Sequence, residues 1–368
     1  MTKAAELAKM GEVLTNSQIG GRRNIVINGA MQVAQRGTTS GVGGVGSANN
    51  VFPCVDRINI TAGNTAGRAT MTQEDITDLA GFTKAVKLDC TTADTSIAAD
   101  EFFGIRYRIE AQDLQHLKKG TSDAEKFTIS FFVKGNANAT YTLEVKDNDN
   151  TRVNSQTFSV TTSFTRVVLT YDGDTTGALN NDNGVGFNLT FWLHAGSTYT
   201  GGTFTSNTWA SQTNANRVSS SQTSFFDSTD RTFFITGLQL EVGEQATPFE
   251  HRSFGEELLL CQRYYQQIVG LTDVIIFGYG RGNGTADVEI SIPLAVPLRD
   301  SPTMSSFTYA VFDTSGSGGN STATPTVRKF LAEYMILAIT TDAASVTNGQ
   351  TAVMTSSSGS TFVIDSEL

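Results

Sequence analysis

The sequence predicts a mainly β protein made of antiparallel strands. Composition, a period of two among the hydrophobic residues, and regularly spaced turn residues predict it. Hydrophobic residues make up 39% and charged residues 17% of the 368-residue chain, which is too apolar for a disordered polymer. The 23 Phe, together with abundant Thr, suit pleated, half-buried surfaces, while Gly and Asn supply turns. A chain of this length holds roughly two domains, each able to bury its own core.

Residues 2–14 (TKAAELAKMGEVL) carry good helix formers, with Leu7, Met10 and Leu14 on one stripe. So short a helix does not stay folded alone in water, so residues 1–23 are expected to be an attachment segment that docks on another chain. Residues 37–50 contain Gly41-x-Gly43-x-x-Gly46. Gln35-Arg36 precedes them and Val51-Phe52-Pro53 follows, so no helix opens at the last Gly and the stretch is a loop, not a dinucleotide site.

From 101 to 242 the β pattern is strong. Phe103, Ile105, Tyr107 and Ile109 alternate with polar residues or Gly. So do Phe127–Val133, Tyr141–Val145, Phe164–Tyr171, Val185–Leu193 and Arg231–Val242. Asn- and Asp-rich turns separate them, as in a sandwich or barrel over 24–252. Gln112–Lys119 predicts one helical turn. Ser253 and Glu256 form a capping box opening a linker helix over 253–270, with Leu258, Leu259 and Tyr265 on its apolar face. Strands resume at 271–368 as a second, smaller β domain, where Ser315–Thr322 reads as a loop.

The net charge of −10 repels phosphate backbones, and Lys118-Lys119 reads as a solvated turn, so nucleic acid is not an expected partner. No apolar run approaches the ~18 residues that cross a bilayer, and the start lacks a secretory signal's apolar stretch. The expectation is synthesis in the cytoplasm without membrane insertion. Cys54, Cys90 and Cys261 show no paired spacing and read as buried free thiols.

Catalysis finds little support. His116, His194 and His251 fall in three different elements, and no strand–turn–helix nucleophile elbow is present. Glycan hydrolysis needs two carboxylates roughly 5–10 Å apart, but the acids cluster in turns where Asp is a turn former. Asp172-Gly-Asp174-Thr-Thr176-Gly177 begins like a calcium loop, yet Asn183 stands where a bidentate Glu is required. Asp172 and Asp174 therefore remain weak candidates for a structural calcium beside the simpler reading of a turn. For carbohydrate binding, Tyr141, Trp192, Tyr199 and Trp209 are the candidates, because an exposed ring stacks on a sugar's apolar face. Trp192 lies out of phase with Phe191 and Leu193, and Trp209 sits in a polar loop. The competing reading for each is a ring tucked into the fold.

Gly237-Leu-Gln-Leu-Glu-Val-Gly243, Ala246-Thr-Pro-Phe-Glu-His-Arg252 and Cys261-Gln-Arg-Tyr-Tyr265 resemble a segment of tail-fibre-like structural proteins of tailed phages. Arg23–Met31, Phe127–Lys134, Pro297–Thr303 and Ile364–Leu368 resemble other pieces of the same module, while Ile58 departs from the aromatic usual after Asp-Arg. The resemblance touches about 24–368 in patches. It implies a jelly-roll sandwich, a homotrimeric fibre, tail proteins as partners of the N-terminal segment, and a virion tail location. It further implies a non-enzymatic tail fibre or appendage contacting host surface glycan. An architectural tail adaptor or nozzle protein is the alternative, and a glycan-cleaving tailspike the weaker one. Physically, Leu238, Leu240 and Val242 alternate inward and Pro248 directs the exit. Glu241, Glu250 and Arg252 there suit an ion-pair cluster or a cation site.

Overall fold

A computed structural model of the chain describes residues 3, 23–40, 45–46, 49–269, 276–282, 287–304, 307–313, 318–323, 326–330, 334–340, 348–356 and 361–368. The expected attachment segment 1–23 lies outside these residues apart from Lys3 and Arg23. The chain divides into two compact units, Met1–Phe254 with Leu368 and Gly255–Glu367.

The first unit is a jelly-roll-type sandwich of antiparallel strands. In chain order these are β1 (Asn59–Gly63), β2 (Arg68–Asp75), β3 (Lys84–Thr92), β4 (Phe102–Glu110), β5 (Phe127–Gly135), β6 (Ala139–Asp147), β7 (Arg152–Val160), β8 (Thr165–Tyr171), β9 (Val185–Ala195), β10 (Ala210–Ser211) and β11 (Thr232–Val242). One sheet has the order β1-β4-β9-β6-β7-β10 and the other β2-β3-β11-β5-β8. The alternating residues face inward as the period of two predicts. Phe131 of one sheet meets Phe191 of the other edge-on at 5.0 Å, and Tyr141 meets Phe233 at 5.7 Å. A 3-10 turn at Ala111–Leu117 follows β4 and buries Leu114 and Leu117.

Strand β11 changes phase in the middle. Phe233 and Ile235 point inward, then Leu238 and Leu240 do, because a bulge lies between Thr236 and Gln239. Gly237 takes φ +64°, and a Cβ there would meet the Phe132 ring at 2.8 Å and the Phe82 ring at 2.9 Å. Before the bulge β11 pairs with β3. Beyond it the segment Asn24–Gly29 takes that edge: the Ile25 N–H donates to the Leu240 carbonyl (3.0 Å) and the Leu238 N–H to the Gly29 carbonyl (2.9 Å). The buried Asn24 amide donates to the Leu238 carbonyl at 3.1 Å. Its oxygen accepts from Leu240 and Val26 N–H at 3.1 and 3.0 Å. Segments 24–29 and 238–240 thus bind each other.

The exit from β11 is built from the residues expected there, with different roles. The Glu241 carboxylate accepts from the Gln239 amide at 2.9 Å and from the Thr247 N–H at 2.8 Å. Glu250 accepts the Asn24 N–H at 2.6 Å and lies 3.6 Å from Arg252. Glu241 therefore fixes the turn before Pro248, and it is Glu250 that lies beside Arg252. Phe249 packs edge-on against Phe82 at 5.1 Å, within a cluster holding Ile76, Phe132 and Phe234. That cluster covers the outer face of the five-stranded sheet.

The second unit begins with a helix shorter than the expected 253–270. It runs Phe254–Gln262, and Tyr265–Val269 forms β12 instead. A turn closes it, with the Tyr264 N–H donating to the Cys261 carbonyl at 2.9 Å, and residues 265–269 then pair with Thr361–Asp365. That long-range pairing overrides the local helical pattern. The later strands are β13 (Ile276–Gly282), β14 (Asp287–Pro293), β15 (Thr303–Met304), β16 (Phe307–Asp313), β17 (Gly318–Ala323), β18 (Thr326–Phe330), β19 (Tyr334–Thr340), β20 (Thr351–Ser356) and β21 (Thr361–Asp365). They form sheets ordered β12-β21-β15 and β17-β16-β20-β13-β14-β19-β18 over a core including Ile290, Leu337 and Met354. Residues 318–322, read as loop from Gly and Ser content, pair with β16 as one arm of a hairpin.

Replacing Asn24 with Ala removes three hydrogen bonds and strands buried backbone groups of β11. The expected cost is about 2–4 kcal/mol, read as a lower urea midpoint with unchanged m-value. An unshifted midpoint would show that the clasp contributes nothing.

Candidate functional site

The outward residues of the six-stranded sheet are polar where the inner ones are aromatic and aliphatic. Strand pairing sets Thr61, Gly104, Trp192, Thr142 and Thr157 in one row and Asn59, Arg106, Thr190, Glu144 and Ser155 in the next. Arg217, arriving from the segment between β10 and β11, donates from two nitrogens to the two oxygens of buried Glu144, each at 2.7 Å. Arg106 donates to the Thr61 hydroxyl at 2.6 Å. Burial, with Arg108 and Arg217 close by, pulls the Arg106 guanidinium down to about 10.

The four aromatics proposed from sequence do not converge on an open platform. Trp192 points outward as its phase requires, but it is covered. The Arg217 guanidinium lies 4.8 Å above its ring, with Tyr199 at 5.1 Å and Phe102 at 6.1 Å. Tyr199 sits on the short helix α1 (Ser197–Thr200), half-buried in that stack, and burial raises its hydroxyl pKa. Tyr141 faces the core between the sheets with 1% exposure, so it has no face to offer a sugar. Trp209 is half-buried, donates its indole N–H to the Asp172 carbonyl at 2.7 Å, and packs against Phe187.

The calcium candidates are likewise committed elsewhere. Buried Asp174 accepts from Arg152 Nε at 2.7 Å and lies 3.1 Å from the Lys119 ammonium, which also reaches Asp147 at 2.5 Å. Lys119 is thus no solvated turn residue: its side chain is 3% exposed, and it donates to the Thr176 and Gly177 carbonyls at 2.8 Å each. Exposed Asp172 pairs with Lys126 at 3.4 Å. Two cations have taken the charge that a calcium ion would need.

A cleft opens beside this network, at the β7–β10 edge of the polar face. It encloses about 90 Å³ and is lined by Val153, Ser155, Thr203, Thr205, Thr208, Ala210, Ser211, Thr213 and Asn216. All but Val153 and Ala210 carry a hydroxyl or an amide, and none is charged. Its loop wall is pinned by backbone bonds from Asn207 to Ser155 and from Gln212 to Thr151, both 3.0 Å. The Thr203 N–H donates to the Asn216 side chain at 3.0 Å. Sequence reasoning flagged the loop through Trp209 but not its threonines. Arg106 and Glu144 were signalled only as the polar partners in the alternating strands.

No protein-family model and no curated protein matches the chain. Among solved structures it is similar to the family 11 carbohydrate-binding module of the cellulase Lic26A-Cel5E of Clostridium thermocellum. The identity is 10% and the TM-score 0.28, over 56% of this chain and 99% of that one. The enzymatically active domain of tailspike protein 4 of bacteriophage CBA120 gives 11% and 0.30, over 60% and 21%. The CBM22-1-CBM22-2 tandem of Paenibacillus barcinonensis Xyn10C gives 8% and 0.29, over 94% and 96%. At these scores the likenesses assign this chain neither ligand nor role.

Arg152 and Lys119 hold the Asp174 carboxyl below its ordinary range against the opposing effect of burial. A depressed carboxyl stabilises the fold above its unfolded value and loses that contribution as pH falls through the folded one. Melting temperature is therefore expected to drop below about pH 4. Asp174→Asn should cost about 3 kcal/mol at pH 7 and flatten that slope. Thermal melts of both proteins from pH 7 to pH 3 check it, and identical slopes would refute the assignment.

Proposed function

We propose that this chain is a non-enzymatic structural protein of a tailed-phage virion, a tail fibre or appendage component whose sandwich contacts glycan on the host surface. It assembles as a homotrimer and attaches to tail proteins through its N-terminal segment. The observation that carries the glycan contact is the uncharged, hydroxyl- and amide-lined cleft at the β7–β10 edge. Its donors and acceptors match those that a neutral sugar's hydroxyls offer. Support for the virion role is the phage-like pair of segments Arg23–Met31 and Gly237–Arg252, which clasp each other to close the sandwich. Binding rather than cleavage is favoured because no carboxylate lines the cleft.

Two measurements test the reading. Antibody labelling and quantitative mass spectrometry of intact particles should place the chain on the tail. Its absence from particles, or a position inside the capsid, would overturn the virion role. For the glycan, exposed Thr213 on the cleft wall is replaced with Trp, which fills the space without touching the core. Binding to purified host surface polysaccharide should weaken by about tenfold or more, a loss near 1.4 kcal/mol. Equal binding by the variant would place the contact elsewhere, and release of oligosaccharides would replace binding with cleavage.

A further inference from the structure

We infer that Asp94, Glu101 and His194 form a binding site for one divalent transition-metal ion of the zinc class. The three side chains come from different places: Asp94 from the loop after β3, Glu101 from the residue before β4, and His194 from the end of β9. One ligand atom from each lies within 4.8 Å of the others, and the residues are 6%, 6% and 0% exposed.

Each ligand is held from behind by its own partner. The Asp94 carboxylate accepts the Thr65 hydroxyl and the Ala66 N–H, both at 2.8 Å. Glu101 accepts the Ala98 N–H at 2.9 Å. The His194 ring is fixed through Nδ1, 2.8 Å from the Ser224 hydroxyl, and by an edge-on contact with Phe226. This is the support that ligating residues characteristically need, with the second imidazole nitrogen tied to a hydrogen-bond partner.

What remains unsatisfied points inward. Nε2 of the fully buried imidazole has no hydrogen-bond partner and sits 3.5 Å from Glu101 Oε2, too far for a good bond. No Lys or Arg pairs with Asp94 or Glu101 among the described residues, whereas buried Glu144, Asp147 and Asp174 each have one. Two buried carboxylates without a cation are costly, and a divalent ion balances them. The donor set decides the class. Calcium and magnesium take oxygen ligands, while one imidazole with two carboxylates suits zinc and its neighbours. Bound there, the ion would staple the loop after β3 to the ends of β4 and β9.

The test uses the full chain stripped with chelator and then titrated with Zn²⁺, Co²⁺ or Ca²⁺ by calorimetry. Zn²⁺ should bind at one equivalent. Excess Zn²⁺ should raise the melting temperature by roughly 5–10 °C, which about 100-fold saturation over Kd produces in a domain of this size. Co²⁺ should give visible absorption that Zn²⁺ displaces. His194→Gln should weaken Zn²⁺ binding by more than about 100-fold, the upper range for loss of a mere supporting group. Because the site is buried, the wild-type cobalt spectrum supplies a reading that does not depend on the variant folding. Absence of that spectrum together with absence of Zn²⁺ stabilisation would overturn the site. So would Zn²⁺ affinity unchanged in a folded His194→Gln, or stabilisation by Ca²⁺ equal to that by Zn²⁺.

Discussion

The first unit depends on the closure of strand β11 by the segment Asn24–Gly29. Residues 214 to 216 positions apart exchange hydrogen bonds there through one asparagine amide. Closing a free loop of that length costs about 5 kcal/mol in chain entropy, more than a few bonds at about 1 kcal/mol each provide. The clasp therefore holds only because β3 and β5 have already placed β11 between them. In return it covers backbone groups that the bulge at Gly237 would leave exposed at an interior edge. Gly29 belongs to the same constraint: a Cβ there would stand 2.1 Å from the Leu238 carbonyl oxygen, so the strand accepts no larger residue at that crossing.

Much of this was legible in the sequence because it is local. The alternation in β4, β5, β6 and β9 depends only on neighbours two apart, and those strands fold as read. Residues 265–269 and 318–322 were misread for the complementary reason. Their strand conformation comes from partners at 361–365 and 307–313, and their own residues do not announce it. Lys119 failed similarly. Beside Lys118 it looks like one of two surface cations, but its neighbours in space are Asp147 and Asp174. Trp192 is the half-legible case. Its phase placed it correctly on the outer face, while the covering Arg217 and Tyr199 arrive from a later loop that periodicity does not describe.

Strand β9 links two buried polar groups of opposite character. At its beginning, Phe187 pairs with Asp147, whose network holds two carboxylates and two cations and is neutral. At its end, His194 meets two carboxylates with no Lys or Arg beside them. The first network is complete within the chain, with Lys119 and Arg152 on its two carboxylates. The second has the same burial and the same backbone support but lacks the compensating charge. The two ends of one strand thus carry a closed salt-bridge cluster and a donor set with no Lys or Arg paired to it among the described residues. The difference is which residue type the neighbouring loop contributes.

The two outer faces of the sandwich are also unlike. Over the five-stranded sheet, Phe82, Phe132, Phe234 and Phe249 form an apolar layer sealed by the residues leaving β11. That face is spent on closing the fold. The six-stranded face instead carries Arg, Thr, Asn and Glu, and its β7–β10 margin opens into the uncharged cleft. A sheet needs an apolar surface on one side only to bury its core. Polar side chains on the other side cost nothing in the fold where water reaches them, but buried ones must be paired. Trp192 and Glu144 are covered and paired through Arg217, whereas the β7–β10 margin keeps its hydroxyl and amide groups around the cleft.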